Sequence, residues 1–237
     1  MKTILSILLS LVFTIPLWSQ ESASKPQFGL SVSPQIAHIM NRQSLFDSKA
    51  SIGYSLQAFI IDDVSSRLQL YGGLGFQHSK FRQRDNSLQF PADVMNGVWV
   101  PGKSYIEYSV EYSAVGIPLG LKLQLGEKAN HFFLSSSAQY QFLFDPKEKL
   151  VLNESGHFSE LNPDTNGIVF EKTQLLFGVG LGYDFSLGTN SRMSIEPFFN
   201  YSLKEIHRPR QNFLEVGGRP FFMGFRIAFY TRGNKSI

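Results

Sequence analysis

The 237-residue sequence contains no cysteine, which excludes structural disulfides, thiolate metal sites and a lipidated N-terminal cysteine. Charged side chains are also scarce, at 17% of the residues, where an average soluble domain has about 25%. Because 43% of the residues are apolar, the chain has much apolar surface to place and few charges to keep it in solution. The formal net charge of +3 is too small to indicate nucleic acid as a partner.

Apolar runs long enough for a membrane-spanning helix are missing beyond the N-terminus. The N-terminus itself has Lys2, an apolar run over residues 4–17 that includes Pro16, and then the sequence WSQ. This arrangement predicts a signal peptide over residues 1–19 and export of residues 20–237, with an uncleaved anchor helix as the alternative.

The sequence also has none of the usual motifs of catalysis or cofactor binding. Gly178, Gly180 and Gly182 form a G-x-G-x-G series that no helix pattern follows, so we predict no dinucleotide or phosphate site. The five histidines have no metal-ligating spacing, and no G-x-S-x-G nucleophile motif occurs. We therefore predict no metal, no cofactor and no enzymatic activity. A hydrolase at the rim of the fold, using His157 or His207, is the enzymatic alternative.

The dominant feature that is present is an alternation of side-chain type with a period of two, which indicates strands with two unlike faces. In the segment LLFGVGLGYDFSL, over residues 175–187, the three glycines alternate with Phe177, Val179 and Leu181. The same alternation marks eight segments, at about 28–38, 52–60, 68–78, 105–125, 132–144, 175–187, 192–204 and 221–232. The sequence therefore predicts eight strands.

The joints between these segments alternate in length, which predicts how the strands are connected. Short polar joints at 62–65, 126–130 and 188–191 alternate with long polar links at 40–50, 82–104, 145–167 and 205–218. Short turns at one end and long loops at the other are typical of an up-and-down meander of antiparallel strands.

Alternation alone leaves open which face of the strands points inward. A lipocalin-like secreted barrel has an apolar interior and a charged outside. Here the polar face is mostly Gly, Ser, Ala and Gln, which suits the lining of a narrow lumen better than a water-facing surface. The sequence therefore favours an all-β fold, an eight-stranded antiparallel up-and-down transmembrane β-barrel. Two predicted aromatic girdles flank its apolar band: Trp99, Tyr105, Tyr108 and Tyr112 on the long-loop side, and Phe132, Tyr183 and Phe185 on the short-turn side.

One predicted strand changes phase along its length. Its apolar side chains are even-numbered over 105–112, as at Tyr108 and Tyr112, and odd-numbered over 115–125. A shift of one residue exchanges the two faces of a strand. Two explanations remain: a β-bulge near 113–116 that keeps one side facing lipid, or an upper half that projects beyond the membrane.

Six charged residues fall on the predicted lumen face, namely Glu107, Glu111, Lys122, Asp184, Glu196 and Arg226. We expect them to pair, since a lone buried charge is costly, and Glu196 with Arg226 is the pair predicted first. A packed, sealed interior is favoured over an ion or proton path, because eight strands leave room only for side chains. The glycines at 178, 180 and 182 are predicted to face the same lumen and to make room for groups such as Glu196.

Three features of the sequence carry a family resemblance. The N-terminal segment ends in SQ, one strand reads AVGIPLGLKLQLG at 114–126, and another reads IEPFFNYSL at 195–203. With these features the sequence resembles the outer-membrane β-barrel family common in Bacteroidota, the group that includes PorT-like proteins. The resemblance implies an eight-stranded barrel in the outer membrane. The chain departs from such barrels at its C-terminus, where TRGNKSI follows Phe229-Tyr230.

Together these observations predict a non-enzymatic outer-membrane protein surrounded by lipid. Its function is expected to lie in the long loops 82–104 and 145–167, through an extracellular ligand or an envelope protein partner. The resemblance implies one alternative, a component of a protein-secretion or surface-attachment apparatus.

Overall fold

The computed structural model of the protein describes residues 26–40, 46–85, 93–95, 98–100, 105–126, 130–154, 157–161, 168–188, 191–209 and 218–231. Eight long strands form the fold: β1 (Gln27–Met40), β2 (Ser51–Asp63), β3 (Leu68–Asp85), β4 (Tyr105–Leu125), β5 (His131–Glu154), β6 (Thr173–Ser186), β7 (Ser191–Ser202) and β8 (Arg219–Thr231). In this part of the chain, no helix is long and apolar enough to cross a membrane. The predicted signal peptide, 1–19, lies outside the described residues.

The eight strands form a closed ring. Each strand pairs antiparallel with its neighbours in the chain, and β8 then pairs with β1, where Met40 lies opposite Arg219 and Gly29 opposite Tyr230. A closed ring has no free edge, so the backbone groups of the ring are paired between strands. The eight-stranded antiparallel barrel predicted from the sequence is therefore confirmed.

Short turns and long connections lie at opposite ends of the barrel. At the short-turn end, Leu68 N donates a hydrogen bond to Ser65 Oγ at 3.1 Å, and Gly188 has a φ of +87° that favours glycine. β1 begins and β8 ends at this same end, since Gly29 and Tyr230 are register partners there. The opposite end, the long-loop end, carries the remaining connections.

Shorter strands add to the long-loop end. Phe46–Lys49 pairs with the last residues of β3, and His157–Leu161 pairs with the last residues of β5. Two small ribbons pair Asp93–Met95 with Val98–Val100 and Ile168–Phe170 with His207–Pro209.

The outer face of the ring is apolar around the whole circumference. Its exposed side chains include Phe28, Leu30, Val32, Ile52, Leu56, Leu74, Val115, Ile117, Leu121, Phe132, Leu134, Phe177, Val179, Leu181, Ile195, Phe199, Met223, Phe225 and Phe229. At the short-turn end, Tyr183 contacts Phe132 and Phe185 with ring centroids 4.7 and 4.8 Å apart. An apolar outside is the reverse of a lipocalin-like barrel and is the arrangement that a lipid bilayer requires.

The interior of the barrel has three layers. Charged and aromatic side chains occupy the short-turn end: Lys122, His131, Phe133, Asp184, Glu196, Arg226 and Tyr230. Amides and hydroxyls occupy the middle: Ser33, Gln35, Ser55, Gln57, Gln77, Gln139 and Gln141. An apolar core fills the long-loop end: Ala37, Ile39, Phe81, Tyr108, Val110, Tyr112, Ala114, Leu143, Leu176, Ile206 and Phe222.

The predicted bulge near 113–116 of β4 is wrong. The pairing of β4 with β3 is continuous from Leu68 opposite Leu123 to Asp85 opposite Ile106, so β4 keeps one alternation throughout. The irregularity lies on β5, where Glu111 is opposite Lys147 but Ser113 is opposite Phe144. The extra residue is accommodated at Asp145, which has a φ of +52°.

Tyr108 and Tyr112 are consequently inside the barrel and are not part of an outer aromatic girdle. Each side chain is only 1% exposed, and Tyr112 stacks on Phe81 with ring centroids 5.8 Å apart. Tyr105 faces outward, where the Arg84 guanidinium lies 3.9 Å from its ring centroid. The side chain of Trp99 lies outside what the structure describes. On the long-loop side, the outward rings in mutual contact belong instead to residues such as Tyr54, Phe76 and Phe144.

Three strands continue well past the apolar band. β3, β4 and β5 have 18, 21 and 24 residues, whereas a strand that crosses a bilayer needs about 9–11. Residues 82–85 and 145–154, which the sequence assigns to long loops, belong to these strands. Residues 80–85 of β3, 105–112 of β4 and 145–154 of β5 form, with 46–49 and 157–161, a sheet that rises above one side of the barrel, which we call the projecting sheet.

Candidate functional site

Glu196 and Arg226 form an ion pair inside the barrel, on the adjacent strands β7 and β8. They are register partners, and Arg226 Nη1 donates a hydrogen bond to Glu196 Oε2 at 3.0 Å. The other carboxylate oxygen, Oε1, accepts a hydrogen bond from Ser135 Oγ on β5. Both charged side chains are nearly buried, so each is neutralised by the other.

Lys122 is the centre of a second buried group nearer the short-turn end. Its Nζ donates to both carboxylate oxygens of Asp184, at 2.8 and 2.7 Å, and to Tyr230 Oη at 3.1 Å. His131 Nε2 lies 3.2 Å from Asp184 Oδ2. The ammonium also lies 3.8 Å from the ring centroid of Phe133, which gives it a cation–π contact.

The glycines of β6 lie beside these groups. A Cβ atom built on Gly180 would collide with Glu196 Oε1, and one on Gly178 would collide with Asn200 Oδ1. A Cβ on Gly182 would collide with the ring of Phe133, its register partner on β5. The absent side chains therefore leave space for an amide, a carboxylate and a phenyl ring.

Glu107 and Glu111 are on the outer face of β4, which corrects the prediction that they line the lumen. Because β4 keeps one alternation, its even-numbered residues point inward and these two odd-numbered residues point outward. Arg84 Nη2 lies 2.7 Å from Glu107 Oε2, and Lys80 Nζ lies 3.3 Å from Glu111 Oε2. Both pairs belong to the outer surface of the projecting sheet.

Tyr108 anchors the interior of the projecting sheet. Its hydroxyl donates a hydrogen bond to Glu148 Oε2 at 2.8 Å across β4 and β5. Burial raises the pKa of the Tyr108 phenol above its usual value, and the nearby Glu148 carboxylate raises it further. The side chain therefore stays neutral throughout the physiological range.

Buried side chains of the described residues occupy the bore in all three layers. A cavity of about 40 Å³ lies among the charged groups, lined by residues such as Tyr71, Lys122, Glu196 and Arg226. That volume holds about one water molecule. Above it, the apolar core around Phe81, Tyr112 and Phe222 closes the long-loop end. These contacts favour a packed interior over an ion or proton path, and conductance in planar bilayers is the measurement that tests it.

Within the described ranges, no group of three or more His, Asp or Glu side chains is placed to hold a metal ion. His78 faces outward, with Nδ1 3.3 Å from Ser113 Oγ and Nε2 3.6 Å from Glu111 Oε1. The side chains of His157 and His207 lie outside what the structure describes, so the rim hydrolase stays an untested alternative.

An apolar outside, a polar and partly charged inside and a closed ring of eight strands define a transmembrane β-barrel. No family model and no curated protein matches the sequence.

Solved structures of other barrels are similar at low identity. The Neisserial surface protein NspA has 9% identity and a TM-score of 0.45, over 89% of this chain and 99% of that chain. OprG, an outer membrane protein from Pseudomonas aeruginosa, has 9% identity and a TM-score of 0.43, over 90% and 98%. Ail, the attachment invasion locus protein of Yersinia pestis, has 13% identity and a TM-score of 0.38, over 86% and 99%. Likeness at this level has no bearing on function.

Proposed function

We propose that the protein is a non-enzymatic, non-conducting outer-membrane barrel that holds the projecting sheet outside the cell as a platform for a binding partner. The observation that carries the proposal is the continuation of β3, β4 and β5 beyond the apolar band, above an apolar core. The core makes this end of the barrel a rigid support. Loops and strands held by a rigid support are where binding functions are usually placed.

The proposed orientation puts the long-loop end outside the cell and the short turns in the periplasm, after removal of the predicted signal peptide 1–19. The absence of cysteine makes this testable with single-cysteine variants. Ser109→Cys lies on the outer face of the projecting sheet, and Ser66→Cys lies in an exposed short turn. A membrane-impermeant maleimide on intact cells should label Ser109→Cys and leave Ser66→Cys unlabelled. The reverse pattern would refute the orientation, and labelling of neither would refute surface display.

The filled bore supports the non-conducting part of the proposal. Purified protein in planar bilayers should show no open-channel current, because the cavity near Glu196 and Arg226 is of single-water size and Phe81 and Tyr112 close the bore above it. A steady current that depends on the amount of inserted protein would contradict this.

The family resemblance supports a second and more specific proposal. In it, the protein is a PorT-like component of a secretion or surface-attachment apparatus. Deletion of the gene followed by an assay of secreted cargo tests it directly. Unchanged secretion would rule out that role and would leave the platform proposal intact. Alanine at His157 and His207 tests the enzymatic alternative, for which we expect an unaltered phenotype.

A further inference from the structure

A trough crosses the outside of the barrel near the short-turn end, over the strands β7, β8, β1, β2 and β3. Its volume is about 800 Å³, within the range of about 300–1,000 Å³ that is usual for small-molecule sites. The lining is mostly apolar and includes outward-facing side chains, which separate the trough from the bore: Phe28, Leu30, Ala58, Ile60, Leu74 and Phe229. We call this feature the outer trough.

Two rows of outward side chains form the walls of the outer trough. The wall farther from the short turns consists of successive register partners on β8, β1, β2 and β3: Phe229, Leu30, Ala58 and Leu74. Phe28 and its register partner Ile60 belong to the other wall. Because Ala58 is the small member of its row, a hollow lies there between Leu30 and Leu74.

The outer trough rises from the rim of the barrel into the apolar band. Ser191 is the first residue of β7 and Thr231 the last residue of β8, so both lie at the short-turn rim. Leu74, at the other end, lies six residues beyond Leu68, the first residue of β3. The four strand spacings from β7 to β3 span about 19 Å. One leaflet is about 15 Å deep, half of the hydrocarbon core, so this length suits an acyl chain.

The rim end of the outer trough carries two hydroxyl groups. Ser191 and Thr231 are register partners with exposed side chains on the outer face, so their hydroxyls lie side by side. Thr231 Oγ1 donates to the carbonyl oxygen of Phe28 at 3.5 Å, a long contact that it can exchange for a better acceptor. The ester and phosphate oxygens of a lipid are acceptors of this kind.

We propose that the outer trough binds one acyl chain of a phospholipid in the leaflet at the short-turn end, while Ser191 and Thr231 donate hydrogen bonds to its ester or phosphate oxygens. The head of such a lipid lies at the rim and its chain points towards the midplane, as the trough does. A chain between two walls makes more dispersion contacts than a chain on a flat surface. The inference needs the transmembrane barrel and does not depend on the platform role.

A second copy of the barrel is the other apolar occupant that a membrane offers. A stable interface has about 20–30 residues on each partner, whereas fourteen residues line the outer trough. The walls are two residues apart along each strand, or about 7 Å, which admits a single hydrocarbon chain. The dimensions therefore favour a lipid chain, and dimerisation becomes an outcome that the test distinguishes.

The test compares two variants that each add the same ring to an outward-facing alanine. Ala58→Phe fills the hollow of the outer trough. Ala138→Phe is the matched control, because Ala138 is exposed on the outer face of β5, across the barrel from β1, and does not line the trough. Each protein is refolded into phosphatidylcholine vesicles and extracted into mild detergent. Native mass spectrometry then measures the retained phospholipid and the number of chains per particle, and heat-modifiable gel mobility checks folding.

The wild type and Ala138→Phe should each retain one phospholipid per barrel. Retention should fall about tenfold in Ala58→Phe, which is the loss expected for about ten atom-to-atom contacts. Ala58→Leu replaces this variant if the larger side chain prevents folding. Unchanged retention in the Ala58 variant would overturn the proposal. An equal loss in both phenylalanine variants would also overturn it, because the retained lipid would then belong to the general lipid shell.

The hydroxyl groups are tested by Ser191→Ala combined with Thr231→Val, which leaves the trough open. Retention should fall about threefold through the lost hydrogen bonds. Unchanged retention would overturn the assignment of the lipid head to this rim.

Two further results identify the occupant. Lysophosphatidylcholine, which has one chain, should displace the retained lipid, whereas glycerophosphocholine, which has none, should not. Displacement by glycerophosphocholine would overturn the role of the chain. A wild-type dimer that Ala58→Phe converts into monomers would assign the outer trough to a second copy of the barrel instead of a lipid.

Discussion

Lys122 on β4 donates hydrogen bonds to both carboxylate oxygens of Asp184 on β6, although β5 separates the two strands. The contact therefore crosses the bore of the barrel and joins strands that share no backbone hydrogen bond. Both side chains are almost fully buried, at 6% and 0% exposure. Removal of one partner leaves the other charge without compensation.

Asp184→Asn should lower the free energy of unfolding by about 3–5 kcal/mol, because it leaves the Lys122 ammonium buried without a carboxylate. Urea unfolding in detergent or lipid, followed by gel mobility without boiling, measures the change. Asp145→Asn is the matched control, because the Asp145 carboxylate is 68% exposed and its contact with Lys147 Nζ is long, at 4.0 Å. Its effect should stay below about 1 kcal/mol. Equal effects of the two substitutions would show that the buried pair is not stabilising.

Gly180→Ala should destabilise the barrel by about 1–3 kcal/mol, because the new Cβ meets Glu196 Oε1 and lies 2.7 Å from Ser135 Oγ. Gly75→Ala is the control, since its Cβ would lie 3.3 Å from Gln139 Nε2 and 3.3 Å from Gln57 Cγ, with no atom closer. It should be neutral or slightly stabilising. The same unfolding assay compares them, and a tolerated Gly180→Ala would argue against the close packing of β6 on the Glu196 carboxylate.

Val179→Arg should destabilise the folded barrel by about 2–4 kcal/mol, because Val179 is outward-facing in the middle of the apolar band. Val64→Arg, in an exposed short turn, should cost at most about 1 kcal/mol. Folding into lipid vesicles, measured as the folded fraction against urea, gives both values. Similar small costs at the two positions would mean that Val179 does not face lipid.

Alkaline pH should weaken the projecting sheet through Tyr108. Because burial and Glu148 raise the pKa of its phenol in the folded state, the folded form disfavours tyrosinate. The associated stability is fully present below the unfolded pKa of about 10 and is lost as the pH rises above it. Unfolding free energy measured from pH 8 upwards should therefore fall above pH 10, and Tyr108→Phe should reduce that slope. An identical slope in the variant would assign the alkaline loss to other groups.

The lipid-facing rows could be predicted from the sequence because lipid requires apolar residues at every outward position of a membrane-spanning strand. Between Phe177 and Leu181, for example, bulky apolar residues have to face lipid and glycines face a crowded bore. The buried charges near the short turns follow from the same alternation, as with Glu196 and Arg226 on neighbouring strands.

Above the apolar band the outward residues are polar and the inward residues are apolar. The facing predicted for the upper part of β4 is therefore wrong. Water covers the outer face of the projecting sheet, so Glu107 and Glu111 lie outside while Tyr108 and Tyr112 fill the interior. The change of phase between Tyr112 and Val115 of β4 marks the height at which lipid ends, and the constant register of β4 favours the second of the two explanations, an upper half that projects beyond the membrane. The extended parts of β3 and β5 read as loops for the same reason, because their outward residues are polar.

A second signal for this change lies in the sequence of β5. Asp145-Pro146 interrupts the pattern of β5, and proline within a strand is largely confined to edges and bulges. The extra residue lies there, opposite Tyr112 of β4, and not on β4 itself.

The bulge in β5 shifts the alternation of inward- and outward-facing side chains by one residue. Below Asp145 its even-numbered residues face outward, as Phe142 and Phe144 do, and above it the odd-numbered Lys147 and Lys149 do. Deletion of either Asp145 or Pro146 would remove the extra residue and leave the upper segment facing as it does now, whereas regular alternation through both residues would exchange its inside with its outside. One backbone irregularity thus lets one continuous strand meet two different solvents.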